Sequence, residues 1–589
     1  MTHHLKDAHG LASGPTPARA VDLTSASWQP GEYEAYMTAQ GRDRTSAGVA
    51  SGYNGAVTVA YNAYAARAGL EALKQGGSAI DAALTTAMAQ VVLVAGAPIS
   101  FFGIMSLVYY EAKSGKVHTM NAEWNTVSGE TDPLTIPGGI TFESNGTLAG
   151  KGPPSGRTAM VGGFMKGVEA AHRRFGTLPF AALFDPSIEL AEKGIPVSDL
   201  LDWQFRFRDA DFARLPETAK IFLKPDGAPY RKGDHFRQPA LAATLRALAA
   251  QGADYMYGGP WGEKLIEAIA ADGGVMTLDD LRRYEVIWAD ALRADIGDGF
   301  TIATNPYPNV GGVLLIEAQN LARAAGLDKA PHWTESAESL SKLLTIGQMM
   351  MSIFLPEEQL NTLFPGLDFS PEARVTRAHA DALWSRIQDG TPLANWKRNS
   401  PMHSDDVVAI DREGNIVAIT HSINCVMWGK TTINIDGVSI GDPASFQQAQ
   451  LARTAPGSRL SAPTQTGILF KDGVPVLGFA SMGAGLHQRT LQCLLNYTAF
   501  GMTVEQSVNT PDFYMPSTDP VSGELTVYVP VGRFDQALLN ATGLAWREVP
   551  LEEARLGGEG KWVAISRDPL TGRLEGASHN RNNSDAVAF

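Results

Sequence analysis

Apolar residues recur every three or four positions along several stretches of this chain and every second position along others, and the two rhythms occupy different regions. The segment AYAARAGLEALKQG predicts a helix over 63–76 that stops at Gly76-Gly77, and a second helix follows from 79 to about 95. Small apolar residues and sparse charge place both in a buried layer. The same spacing predicts helices over 163–175, 239–250, 259–271, 311–325 and 336–355. The run SLVYYEAKSGKVHTM has two β-rich halves around Ser114-Gly115 and reads as a hairpin. After Asp405 the rhythm turns to strands: DVVAID and IVAITHSIN flank Glu413-Gly414-Asn415, and TGILFKDGVPVLGFA turns at Asp472-Gly473. The helix LHQRTLQCLLNYTAF then sets Leu491, Leu494 and Leu495 on one face, and ELTVYVP and GKWVAIS supply further strands. The first 50 or so residues are polar and rich in Gly, Ser and Pro, which predicts an extended arm, with order beginning near Val57. Helices covering stacked antiparallel sheets satisfy this order, an α+β class.

Composition narrows the function. With 589 residues, 44% apolar and 19% charged, the chain can bury a large core. Its net charge of -14 and the lack of a Lys/Arg cluster exclude a nucleic-acid partner. Cys425 and Cys493 lie in apolar segments without metal-ligand spacing and read as buried thiols, so no metal site is expected. The N-terminus lacks the apolar stretch of a secretory signal, and no run reaches about 18 apolar residues, which predicts a protein off the membrane. A cytoplasmic location follows, or a periplasmic one if a leader has been trimmed away.

No Walker loop, HExxH or kinase signature is present. The Gly311-Gly312 pair and the GxG at Gly483 to Gly485 are weak phosphate signals for which close packing or a turn is the better account. The informative stretch is SPMHSDDVVAIDREGNIVAITHSINCVMWGKT, 400–431. A strand headed by a hydroxyl residue, a D-x-E-G-N turn and a second strand ending in S-x-N resembles the start of the small subunit of γ-glutamyltransferases, a family of N-terminal-nucleophile hydrolases. The resemblance spans most of the chain: GLEALKQGGSAIDAAL, MTLDDLRRYEV, PNVGGVLLIEAQNLARAAG and RLSAPTQTGILFKDGVPVLGFASMGAG are all similar to family segments.

That resemblance implies a four-layer αββα fold. After an arm over 1–56 it divides the chain into a large-subunit segment, 57–403, and a small-subunit segment, 404–589, which form one unit. It implies self-cleavage between His403 and Ser404, with Ser404 as nucleophile and Ser422 as the hydroxyl that supports it. Backbone N–H groups of Gly483 and Ala484 would receive the oxyanion. Asn424 and Ser461 would contact substrate. His403 and Asp405-Asp406 fit a solvated turn equally well, and Asn424 a strand-end hydrogen bonder. The chemistry is self-consistent: serine is a weak nucleophile near pH 7, and as a chain's first residue its own α-amine, of pKa about 7.7–8.0, serves as base. The twelve histidines form no evident Ser-His-Asp set, and none is then needed.

The pattern departs from the family at the substrate's charged ends. The family's D-F-R-E run reads MNAE, so Ala122 stands where a carboxylate-binding Arg is expected and Glu123 keeps only the acid. In SIGDPASF, Ser445 falls where an acid holds the substrate amine, with Asp442 as the nearest replacement. Of paired serines, Ser461 remains and the second is Ala462. An amidohydrolase or acyltransferase for a small amide or γ-glutamyl-type compound is the first expectation, with water or an amine as acceptor, no cofactor, and the two fragments paired as a heterodimer. Two alternatives stand: a conventional glutathione hydrolase whose charged contacts come from residues such as Arg459 or Lys430, and an uncut binding protein.

Overall fold

The computed structural model describes residues 21–142, 148–150, 152–352, 355–391, 393, 404–514, 517–519, 522–550 and 560–589. The strands that matter here are β1 (Gly48–Gly52), β2 (Gly55–Val59), β3 (Ile104–Glu111), β4 (Lys116–Ala122), β5 (Ile287–Asp290), β6 (Leu292–Gly297), β7 (Phe300–Thr304), β8 (Ser404–Asp411), β9 (Ile416–Ser422), β10 (Gln465–Lys471), β11 (Val474–Met482), β12 (Lys561–Arg567), β13 (Leu574–Ser578) and β14 (Asp585–Ala588). They form two antiparallel sheets of seven strands each. One runs β1-β13-β12-β11-β10-β7-β6, the other β14-β2-β8-β9-β3-β4-β5. Both sheets combine strands from before and after Ser404.

Alternation along each strand sends one set of side chains between the sheets and the other outward. Val408, Ile410, Ile416, Ala418, Ile468, Ala480, Met482 and Val563 fill the space between the sheets. The opposite set of the second sheet, Val407, Ala409, Val417 and Ile419, packs against helices α2 (Ala63–Lys74), α3 (Ala79–Leu93) and α4 (Phe164–Phe175). Leu469, Leu477, Phe479 and Ala564 of the first sheet meet α5 (Val310–Ala324) and α6 (Leu486–Thr498). The result is helix, sheet, sheet, helix. In α3 a capping box from Ser78 and Asp81 starts a helix in which every residue is buried. That matches the sparse charge of this stretch.

Two expectations are corrected. The described part of the supposed arm carries a helix, Glu32–Ala39, and the edge strand β1. Leu23 and Trp28 are buried in the main core, and Trp28 lies 4.9 Å from the Tyr64 ring. Aromatic contact with α2 outweighs the Gly- and Ser-rich composition. In α6 the three leucines do not mark a single buried face: every residue from Leu486 to Asn496 is buried, with Leu494 against the sheet and Leu491 and Leu495 against outer helices, because a further helical layer covers α6.

Candidate active site

The turn between β8 and β9 sets the position of Ser404. The Asp411 carbonyl accepts from Gly414 N–H (3.1 Å), and Asp411 Oδ1 accepts from Asn415 N–H (2.9 Å). Ladder pairing then runs from Ile410↔Ile416 without a shift to Ser404↔Ser422, and Ser422 pairs onward with Ile104 of β3. Alternation turns Ser404, Asp406, Thr420 and Ser422 toward the space between the sheets. Ser404 is 7% exposed. Ser422 Oγ accepts from Asn424 N–H (2.9 Å), and Asn424 takes φ +50°, so the chain turns immediately beyond the strand. His403 lies outside the described residues.

Asp405 and Asp406 are not a solvated turn. Both are fully buried strand residues. Burial raises both carboxyls well above the usual range. Thr420 Oγ1 donates to Asp406 Oδ1 at 2.6 Å, and Asp406 N–H donates to Asp405 Oδ1 at 2.9 Å. His421, next to Ser422, faces the other way. Its Nε2 meets Gln90 Oε1 at 2.9 Å, and burial pulls its pKa down to about 3, so it is neutral and points into the helical layer.

On the facing sheet, β11 ends at Met482, whose ladder partner is Lys561. The Lys561 ammonium acts on the carboxyls of both Asp405 and Asp406, so this end of β11 stands over the head of β8. Gly483 follows with φ +89°, a conformation that favours glycine, and α6 begins at Leu486. The N–H groups of Gly483 and Ala484 lie beyond the last ladder pair.

A small apolar cluster gathers the remaining candidates. It contains Ile104, Trp124, Ile423, Cys425, Ala444, Leu460 and Ala462, the immediate neighbours of Ser422, Glu123, Asn424, Ser445 and Ser461. The two acids are sealed. Glu123 has no exposed surface; its Oε1 accepts from Asn309 Nδ2 (2.8 Å) and Thr464 Oγ1 (3.1 Å), and its Oε2 from Asn121 Nδ2 (2.6 Å). Burial lifts its pKa to about 7 against these donors and the Arg459 charge. Asp442 is also buried, which raises its carboxyl; Oδ2 accepts from Lys430 N–H (2.8 Å), and Ser445 Oγ donates to the Asp442 carbonyl. Ser461 is half-buried, its carbonyl held by Gln450 Nε2 at 2.8 Å.

The two cations considered as substitutes are already engaged. Arg459 donates to Asn125 Oδ1 (2.7 Å), the Asn121 carbonyl (2.7 Å) and the Glu285 carbonyl (2.6 Å), and lies over the Tyr284 ring. Lys430 Nζ donates to the Gly152 carbonyl. Sequence reasoning missed Asn309, Thr464 and Asn121, the donors around Glu123. The signal available was Asn309 directly ahead of a helix, where its Oδ1 caps Gly311 N–H at 2.9 Å. The Gly311-Gly312 pair serves packing: a Cβ on Gly311 would lie 2.1 Å from the Thr464 carbonyl oxygen. Among the described residues no three His, Cys, Asp or Glu side chains are grouped to hold a metal ion. Among them, too, no helix is long and apolar enough to cross a membrane.

The family model described as gamma-glutamyltranspeptidase matches residues 65–589. The chain belongs to that family. As a γ-glutamyltranspeptidase-family protein it is an enzyme, an N-terminal-nucleophile hydrolase of the self-processing, acyl-enzyme kind. It is similar to the glutathione hydrolase proenzyme of Bacillus subtilis (strain 168), 27% identical over 572 residues that cover 91% of this chain and 92% of the relative. The acylase ACY 1 proenzyme of Pseudomonas sp. (strain SE83) is 28% identical over 486 residues, covering 78% and 82%. The crystal structure of cephalosporin acylase from Bacillus halodurans shares the fold, with a TM-score of 0.74 at 22% identity, covering 92% of this chain and 97% of that one.

Proposed function

We propose that the chain is cut before Ser404 and then hydrolyses a small amide, or transfers its acyl group to an amine, through an acyl-enzyme on Ser404. The observation that carries this reading is Ser404 itself, heading β8 in register with Ser422 between the sheets, under the Gly483 turn. In the first reaction the Ser404 hydroxyl attacks the carbonyl of residue 403. The peptide C–N bond breaks as the ester forms, and water releases the new N-terminus. In the second, the freed α-amine takes the hydroxyl proton as Oγ attacks the substrate carbonyl. It returns that proton to the leaving amine, and water or an acceptor amine then takes the acyl group. N–H groups of Gly483 and Ala484 meet the oxyanion, each such donor contributing about 2.7–4 kcal/mol. Ser422 holds the nucleophile, and Asn424 and Ser461 contact the substrate.

Glutathione hydrolysis is the second reading, favoured by relatives that carry that name. Against it stand Ala122 in place of a guanidinium, Glu123 saturated by the protein's own donors, and Arg459 and Lys430 committed to carbonyls. A carboxylate left without a cation is costly to bury. Asp442 and Ser445, both buried, stand where an acid for the substrate's amine is expected. Denaturing electrophoresis with N-terminal sequencing tests the reading. Wild type should give fragments 1–403 and 404–589, with Ser404 as the new first residue, and Ser404→Ala should stay whole. An intact band in active wild-type protein would refute the mechanism, and an intact band in inactive protein would favour the binding-protein alternative. γ-Glutamyl anilide against simple acyl anilides separates the two enzyme readings.

A further inference from the structure

A cavity of about 180 Å³ lies beside the Asp442–Ser445 turn. Ile136, Met160, Ala444 and Leu451 line it, and the same four side chains belong to the apolar cluster that flanks Asn424 and Ser461. Val127 and Met276 complete its apolar wall. The charged side chains in its lining are Glu130 and Arg157, and these neutralise each other. Arg157 Nε and Nη2 each reach a Glu130 oxygen at 2.8 Å, and Nη2 also donates to the Asp132 carbonyl and Thr135 Oγ1. Two lining hydroxyls are spent as well: Thr126 Oγ1 donates to the Ala455 carbonyl (3.0 Å), and Thr454 Oγ1 to the Gln450 carbonyl (2.9 Å). The cavity therefore has neither a free charge for a carboxylate nor one for an ammonium. A cavity of about 150 Å³ with an apolar lining is known to hold benzene.

The geometry points to this cavity as the seat of an apolar substituent of the amide substrate, of the size of a phenyl ring or a short branched alkyl group. The inference rests on the acyl-enzyme reading above and gives it a substrate class: amides whose specificity group is uncharged. The substituent belongs either to the acyl group or to the leaving amine, and two probes distinguish them.

Calorimetry on the Ser404→Ala chain measures binding without turnover. Phenylacetamide carries the ring on the acyl side, N-benzylacetamide on the amine side, and acetamide carries none. One ring-bearing probe should bind at least about tenfold more tightly than acetamide, since a hydrophobic group of this size spans several methylenes at roughly fourfold each. Ala452→Phe, placed on an exposed lining residue, should remove that preference, while Met160→Ala should keep it and extend it to larger rings. Equal binding of all three probes, or a preference that survives Ala452→Phe, would overturn the assignment. Failure of wild type to cut itself while the ring preference persists would instead remove the acyl-enzyme reading and leave the cavity's ligand class standing.

Discussion

Burial raises the pKa of the Glu123 carboxyl to about 7, well above the usual carboxylate range, although Asn309, Thr464 and Asn121 donate to it. The unfolded chain would titrate this group near 4.3. Between those two values the folded state binds the extra proton, so stability from this site is complete below about pH 4 and is lost as pH rises through about 7. The loss is on the order of 4 kcal/mol as an upper bound. Comparing Glu123→Gln with its parent isolates this site from other raised carboxyls, Asp405, Asp406, Asp411 and Asp442 among them. In the uncut Ser404→Ala background, urea unfolding at pH 5 and pH 8 should show the parent's advantage over Glu123→Gln shrinking at the higher pH. An unchanged difference would mean that the carboxyl titrates normally. At this scale the place of Ser404 at the head of a strand was legible and the surroundings of Glu123 were not. The distance from Ser404 to its turn is a property of one hairpin, whereas Glu123 meets donors from residues 121, 309 and 464, which no periodicity connects.

Elements were legible where one face of each strand or helix repeats at a clean period. Helices α2 and α3, and the pairs β3/β4, β8/β9 and β10/β11, lie where apolar spacing and turn residues set them. The helix Asp199–Phe212 escaped notice because its charged and aromatic residues are mixed around the axis. β13 and β14 escaped because LEGAS and DAVA are short and weakly β-forming; neighbouring strands impose their extension. The start of α5 shows what a pair of glycines does for an element. The Gly311 backbone approaches Thr464 so closely that an added methyl would overlap its carbonyl oxygen, and Gly312 approaches Asn305 likewise. Gly311→Ala should therefore destabilise by about 1–3 kcal/mol even though alanine is the better helix former. Because Thr464 and Asn309 both hold Glu123, the same change should disturb that carboxyl. Thermal unfolding of Gly311→Ala beside a Gly-to-Ala control at the half-buried Gly258, where an added methyl meets nothing closer than 3.8 Å, tests the point, and equal melting temperatures would count against it.

At the scale of the molecule, strands from the two segments interleave: β2 lies between β14 and β8, and β13 and β10 of the later segment pair with β1 and β7 of the earlier one. Residues 21–56 add to this interlocking through Trp28 and β1, although their composition reads as a loose tail. Cut chains should therefore elute together from a sizing column under native conditions and separate only in denaturant. Spontaneous dissociation at neutral pH without denaturant would contradict this topology. Helices over stacked sheets could be read from where the two rhythms fall, and the four-layer order from the family resemblance. The interdigitation could not, since it depends on which strand edges meet.

The ladder around β8 also bears on what a break at its head would cost. Ordinary chain ends fray and must be ordered each time they are used. Residue 404 would instead begin a strand zipped to β9 from its first position and to β2 from Val407 onward. A freshly exposed amine there would inherit its orientation from folding, so no entropy would remain to be lost when a substrate arrives.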